Sequence, residues 1–409
     1  KYYSKVIRVD VKNDQGKLTK CLSCENTNYY GILRMFYSGH EAVTSVLATA
    51  LFEELPSYTT QQHIYFEEDE TGFGVNNLVM EKEKIKQAKQ FIAFSDNRQA
   101  AAFFACYLDQ TYRNILYKRL IIEALSFQKE NSRPKRAVAF IDDLIYQFEK
   151  NEVLSDDIDV IRKEAWKALL HELVDNNGNS SLARMGLLGI SIDDSHMIPN
   201  TNYKLSAQEV ATICNVIALG MMADAAITYD EPLNKAEREY FTYNGIEYRY
   251  TLSDNNSKEY IRSFIPSSLK YLNKRMDYLA RVLEKKGFIL DRKRISELLI
   301  GIWKNIFIRD GILQATEGGY KINIEKVMVS KPKEYFICSK CKKVTPFNIE
   351  GVCPSYRCDG KLEKVSIQDV FSENHYYRIY QDLDIRNLRV VEHTAQLDKE
   401  TAYSYQKKF

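Results

Sequence analysis

The sequence has no G-x-x-x-x-G-K-[ST] string and no DEAD or DEAH acid pair, so it lacks the residues that would cradle ATP phosphates and hold Mg²⁺. It also lacks a long apolar run. The longest uncharged stretch, residues 210–223, is shorter than the roughly 18 residues a membrane span needs, and it reads as a buried helix. No internal repeat, low-complexity tract or heptad series occurs, which excludes solenoid, compositionally disordered and coiled-coil architectures. An excess of one charge is missing as well: 57 Lys and Arg face 55 Asp and Glu, and the net charge of +2 does not by itself point to nucleic acid. The chain opens at Lys1 with no charged-then-apolar leader, so no targeting signal is visible and a soluble, cytoplasmic protein without membrane contact is expected.

Length and cysteine pattern carry more information. A chain of 409 residues suggests two to three domains, on a prior of about 150 residues each. Four of its eight cysteines form a pattern: Cys338-Ser-Lys-Cys341 and, after eleven residues, Cys353-Pro-Ser-Tyr-Arg-Cys358. Two such knuckles place four thiolates at the corners of a tetrahedron, which Zn²⁺ accepts with bonds of about 2.3 Å. Tyr335, Phe336 and Ile337 read as a strand entering the first knuckle, Pro354 turns the second, and Gly360-Lys-Leu leads into another strand. The alternative is four free or disulfide-bonded cysteines, but clustered pairs in a chain without secretory features favour structural zinc. A zinc hydrolase is disfavoured, because four cysteines close the coordination shell. Residues 331–364 carry eight Lys or Arg against four Asp or Glu, a basic ribbon or simply a solvated face. Cys21 and Cys24 have metal spacing without a second pair: a half-site whose partners would precede Lys1, or a vestige. Cys106 and Cys214 sit in apolar helical runs and read as core.

Along the chain, residues 1–30 read as irregular or strand-rich, and 42–55 as a helix stopped by Pro56. A polar linker with Gly72 and Gly74 follows, then a charged stretch at 82–89. The apolar run 90–94 suits a buried parallel strand, followed by the turn Ser95-Asp-Asn-Arg-Gln99 and a helix over 100–108. A second strand, turn and helix unit spans 388–391, 392–396 and 398 onward. Between them the pattern is mainly helical. Over 266–287 an apolar stripe of Leu269, Leu272, Met276, Leu279 and Leu283 opposes a basic face of Lys270, Lys274, Arg275, Arg281 and Lys285. A second amphipathic helix carries Ile295, Leu298, Leu299, Ile302, Trp303 and Ile306, before a glycine turn at 317–319 flanked by alternating strands. That order resembles a winged helix; the plainer alternative is a helix packed on a β-hairpin.

A strand ending where a helix begins makes an anion site, and phosphate is its natural occupant. Ser95 and Arg98 have the donors for one phosphate, although Asp96 and Gln99 also have the spacing of a capping box. Thr394 suits a phosphate in the same way, and His393 suits either that role or a structural one.

Three strings, FIAFSDNRQAAAFFACYL, FICSKCKKVTPFNIEGVCPSYRCDGKLEKV and NLRVVEHTAQLDKETAYSYQKKF, in this order resemble bacterial superfamily 2 DEAD/DEAH-box helicases of the DISARM phage-defence type, which carry a zinc-bearing insertion. The resemblance implies an α+β, mostly helical fold: a split, partial RecA-like α/β half-domain with a large helical insertion holding a winged-helix-like unit and a zinc ribbon. It places a connecting segment at 1–87, the first RecA-like part at 88–130, the helical insertion at 131–290, the winged-helix-like unit at 291–330, the ribbon at 331–367 and the second RecA-like part at 368–409. It implies an internal fragment of an ATP-dependent helicase or translocase that hydrolyses no ATP alone, with ATP and Mg²⁺ bound only by the parent protein. Nucleic-acid contacts, to DNA by expectation, fall to Ser95, Asp96, Arg98, Gln99, His393, Thr394 and Gln396. The remaining helicase domains and subunits of a defence complex are the implied partners. From a different class, a zinc-stapled protein-interaction or scaffold module stays open.

Overall fold

The computed structural model describes residues 47–62 except 53 and 57, 84–88, 98–126, 134–382 except 155–156, 254–259, 267, 271 and 332, and residue 385. The chain divides into two units, Phe36–Asn114 with Leu388–Phe409, and Lys1–Met35 with Ile115–Asn387. Helices and four small sheets among the described residues make the class α+β, as expected.

In the smaller unit, residues 47–52 are helical within the span where a helix ending at Pro56 was expected. Its buried face carries Ala48 and Phe52, and the Phe52 ring meets Tyr112 edge-on at 5.9 Å. β1, Tyr58–Gln62, and β2, Lys84–Ala88, pair antiparallel in the register Tyr58↔Ala88. Both lie where a polar linker and a charged stretch were expected, since too few apolar side chains alternate there to announce a strand. Helix α1, Arg98–Ser126, begins where the polar turn was expected to give way to helix. The expected strand at 90–94, and everything from 388 onward, lie outside the described residues.

The larger unit is built on buried helices. Leu116, Tyr117, Leu120 and Ile121 of α1 are buried. β3, Lys135–Arg136, runs into α2, Ala137–Lys150, whose Phe140, Ile141, Leu144 and Phe148 recur at helical spacing on one buried face. In α3, Ile158–Val174, Asp157 caps the N-terminus by accepting from Asp159 N. Lys118 of α1 is ion-paired to Glu172 of α3, both side chains almost wholly buried, and Glu172 also accepts from Leu182 N at 2.8 Å. β4, Gly189–Ile192, follows. The apolar run at 210–223 is α4, Ala207–Met222, opened by a reciprocal capping box between Ser206 and Glu209 and buried nearly all round.

A short turn of helix, α5, Lys235–Arg238, precedes β5, Arg249–Ser253, and β6, Ile261–Ile265. Helix α6 spans Lys274–Lys285 and starts later than the stripe from 266 suggested, because Asn273 accepts from Met276 N and fixes the cap there. Helix α7, Arg292–Ile302, is capped by Asp291 and continues as a π-helical turn over Trp303–Ile308. β7, Leu313–Thr316, and β8, Gly319–Ile322, form the expected hairpin. Gly318 at its tip has φ +82, a conformation glycine tolerates best. The hairpin is not alone: it joins the sheet β6-β5-β8-β7, so residues 249–265 of the expected helical insertion supply half of it. Trp303 locks α7 onto that sheet, 4.8 Å from the Phe264 ring and 5.4 Å from Tyr320.

β9, Val327–Ser330, is the centre of a sheet β3-β9-β4, pairing antiparallel with both neighbours. The ribbon follows as β10, Tyr335–Cys338, β11, Val344–Thr345, and β12, Leu362–Val365, with β10 central. Two helices close the described chain, α8, Ile367–Phe371, and α9, His375–Asp382. Arg119 of α1 holds α9 by donating to Tyr380 O at 2.7 Å and Gln381 O at 3.0 Å. Among the described residues no helix is long and apolar enough to cross a membrane.

Candidate metal centre

Cys338 ends β10, and the chain turns back at once: Lys342 N donates to Cys338 O at 3.1 Å and Cys338 N to Lys343 O at 3.0 Å. Lys342, directly after Cys341, takes a left-handed φ of 56, which completes the first knuckle. In the second, Cys358 N donates to Ser355 O at 3.2 Å, and Arg357, directly before Cys358, has φ 54. The knuckles meet because β10 and β12 pair with Cys338 opposite Leu362.

The four sulfurs lie within 4.8 Å of one another. Cys338 and Cys358 Sγ are 3.6 Å apart, as are Cys341 and Cys353 Sγ. These separations are too long for disulfides, whose sulfurs sit about 2.05 Å apart. They match the edge of a tetrahedron with metal–sulfur bonds of about 2.3 Å, roughly 3.8 Å. Cys338, Cys353 and Cys358 are buried, with Leu362 and Phe336 packed against them. The four-cysteine set expected from spacing is therefore assembled, and it fits a structural metal with no position left open to substrate.

Electrostatics support the same conclusion. The Cys341 thiol is pulled down, to about 4, chiefly by its hydrogen bond from Cys353 and further by the Ser355 hydroxyl and the Lys343 backbone. Cys353 is pushed up by that same bond and by burial, and burial raises Cys358 to about 11. Four thiolates this close together need a cation in the middle.

Two features outside the ligand set shape the site. Gly360 lies so close that a Cβ there would stand 2.5 Å from Cys338 Sγ and 2.9 Å from Lys340 Cβ. Arg281 of α6 donates to Cys353 O at 2.7 Å, Cys358 O at 2.8 Å and Ser355 O at 2.8 Å. Asp277, four residues earlier, pairs with Arg281 at 2.8 Å and accepts from Arg357 N at 2.9 Å. Arg281 was expected on a basic, outward face of this helix. Its guanidinium faces the ribbon instead, because three carbonyl oxygens converge on it there. Arg275, from the same expected face, donates to Ser263 O and Phe264 O at 2.9 and 3.1 Å. Lys270, Lys274 and Lys285 remain exposed. Nothing in the local sequence distinguishes Arg275 and Arg281 from those lysines; only the packing of β6 and the second knuckle against α6 does.

Of the residues expected to contact nucleic acid, Arg98 and Gln99 are the first two residues of α1. Ser95, Asp96, His393, Thr394 and Gln396 lie outside the described residues, as does the half-site Cys21 and Cys24. No protein-family model, no curated protein and no solved structure matches this chain.

Proposed function

We propose that the chain is a zinc-stapled, nucleic-acid-handling part of an ATP-driven helicase or translocase, and that it guides a DNA strand without reading its sequence. In this reading Cys338, Cys341, Cys353 and Cys358 hold Zn²⁺. Ser95, Asp96, Arg98, Gln99, His393, Thr394 and Gln396 follow the sugar-phosphate backbone from a RecA-like half-domain split between 88–130 and 368–409. The observation that supports the reading is the order α7, β7, β8, a helix followed by a glycine-tipped hairpin, which is the order expected of a winged-helix-like unit over 291–330. On α7 and its π-helical extension, Lys293, Arg294 and Lys304 are exposed, where they can meet phosphates. Arg98 is the first residue of α1, and a helix N-terminus favours an anion.

The test is binding of labelled single- and double-stranded oligonucleotides over a salt series. Each phosphate contact contributes about −0.7 to −0.9 to the slope of log K against log salt. Arg98→Ala with Thr394→Ala, and separately Lys293→Glu with Lys304→Glu, should each flatten that slope while melting is unchanged. Binding that ignores salt and both variants would sink the reading.

A second reading is a zinc-stapled scaffold module that docks other subunits. It is favoured by the inward commitment of Arg275 and Arg281, and by a cleft of about 400 Å³ between α4, α6, α7 and residues 198–205, lined by Leu205, Ile213, Leu283, Ile302 and Ile306. Absence of any nucleic-acid binding would favour it.

A further inference from the structure

The loop between Cys353 and Cys358 holds four residues, two more than the tight turn between Cys338 and Cys341, and within it Cys358 N donates to Ser355 O at 3.2 Å and Ser355 N to Cys353 Sγ at 3.5 Å. The Arg281 guanidinium adds a hold from outside the ribbon. It gathers the carbonyl of the first ligand of this loop, that of Ser355 within it and that of the last ligand, at 2.7, 2.8 and 2.8 Å. Three carbonyl dipoles aimed at one point repel each other unless a cation sits there. A planar fork with five N–H donors suits that place and an ammonium does not. Asp277 fixes the fork from the helix side through Nε at 3.1 Å and Nη2 at 2.8 Å. Its carboxylate also takes Arg357 N at 2.9 Å, one residue before the ligand Cys358. The carbonyls of both cysteine ligands of the second knuckle are thus held by one turn of α6.

We propose that Arg281 is a positioning residue of the metal centre, and that metal loading and the docking of α6 on the ribbon are a single coupled equilibrium. The inference rests on the reading of the four cysteines as a metal site. Ligand positions must hold to about ±0.2 Å, and carbonyls released from Arg281 would turn toward water and carry Cys353 and Cys358 with them. A dication with four thiolates has a formal charge of −2 (2 − 4), and a guanidinium that never loses its proton lies beside it. Coupling is reciprocal by thermodynamic linkage, so whatever factor docking adds to metal affinity, metal adds to docking. Because α6 leads directly into α7, the ribbon's metal sets the footing of the helix pair and hairpin.

The test uses the full chain with Zn²⁺ measured against a chromophoric chelator, and Co²⁺ as a spectroscopic probe of the thiolate shell. Arg281→Ala should lower metal affinity 10- to 100-fold, the range for residues that orient metal ligands, and should alter the thiolate-to-cobalt charge-transfer bands at saturation. Arg281→Lys keeps the charge but not the fork, and should recover only part of the loss; it also serves if Arg281→Ala does not fold. Lys286→Ala is the control. Lys286, just past the end of α6, pairs with Glu209 of α4 at 2.5 Å and with Glu350 of the ribbon at 3.1 Å, and no hydrogen bond ties it to either knuckle, so that variant should stay within twofold of the parent with an unchanged cobalt spectrum. Arg281→Lys with unaltered affinity and spectrum overturns the proposal, and so does a Lys286→Ala loss as large as that of Arg281→Ala, which would mean that docking alone matters. Failure of the parent chain to take up Zn²⁺ or Co²⁺ overturns instead the metal reading on which the proposal rests.

Discussion

Substituting Gly360 by alanine adds one methyl group at the most crowded point of the ribbon. Its carbon would stand 2.5 Å from Cys338 Sγ, 2.9 Å from Lys340 Cβ and 3.0 Å from Lys340 N. Non-bonded heavy atoms settle at about 3.5–4.0 Å, so the sulfur or the backbone must give by about 1 Å. The backbone is held: Ser339 N donates to Lys361 O at 2.9 Å, and Cys338 is paired with Leu362 across the strands. The sulfur therefore moves, several times further than the roughly 0.2 Å a metal site tolerates. Overpacking of this kind costs about 1–3 kcal/mol. At about 1.4 kcal/mol per tenfold, Gly360→Ala should weaken Zn²⁺ binding by about 5- to 150-fold, read by chelator competition on the full chain. Gly301→Ala is the matched control, because nothing lies within 4 Å of the added carbon in α7. It should raise the melting temperature through about 1 kcal/mol of helix propensity and leave metal affinity alone. If Gly360→Ala binds Zn²⁺ as tightly as the parent, the close approach of this glycine to the ligand sulfur has no part in the site.

Lys118→Met leaves Glu172 buried without its cation and should cost about 3–5 kcal/mol in urea unfolding, while adding Glu172→Gln should restore much of it. Burial alone would raise the Glu172 carboxyl, but Lys118 and His171 outweigh it and hold it at about 2, below its ordinary 4.5. The unfolded chain therefore binds the proton first, so the pair stabilises fully above pH 4.5 and loses that contribution as pH falls toward 2. Urea midpoints of metal-stripped protein between pH 6 and pH 3 should fall in the parent more than in the Lys118→Met/Glu172→Gln pair, and parallel curves would contradict the assignment. Stripping the metal with a chelator should lower the melting temperature of the parent, and adding Zn²⁺ back should restore it. A phosphate-release assay should find no ATP turnover above background, with or without oligonucleotide.

Local order was legible wherever one stretch of chain sets its own geometry. The four-cysteine set could be read from spacing because each knuckle is a turn closed within a few residues, and only a short hairpin-like return separates the two. The buried helix at 210–223 announced itself by the lack of any charge, and α7 by apolar residues three and four apart. Misreadings came where the pattern was ambiguous. The stripe from 266 blurred a turn into α6, although Asn273 offered the cap signal that stops the helix there. β1 and β2 carry polar and charged residues that look like linker until the two are paired.

The amino-acid sequence by itself determined the helical periods, the caps and the composition of the metal set, since these depend on residues a few positions apart. Tertiary structure alone decided which charges are spent inside. Lys118 finds Glu172 across 54 positions, Arg281 finds the second knuckle across more than 70, and β9 draws together β3 and β4 from far upstream. A lysine or arginine on a helix face looks the same in a sequence whether it meets water, a carboxylate or three carbonyls. The choice rests on what the rest of the chain brings within hydrogen-bonding distance, and on the desolvation that follows once it has.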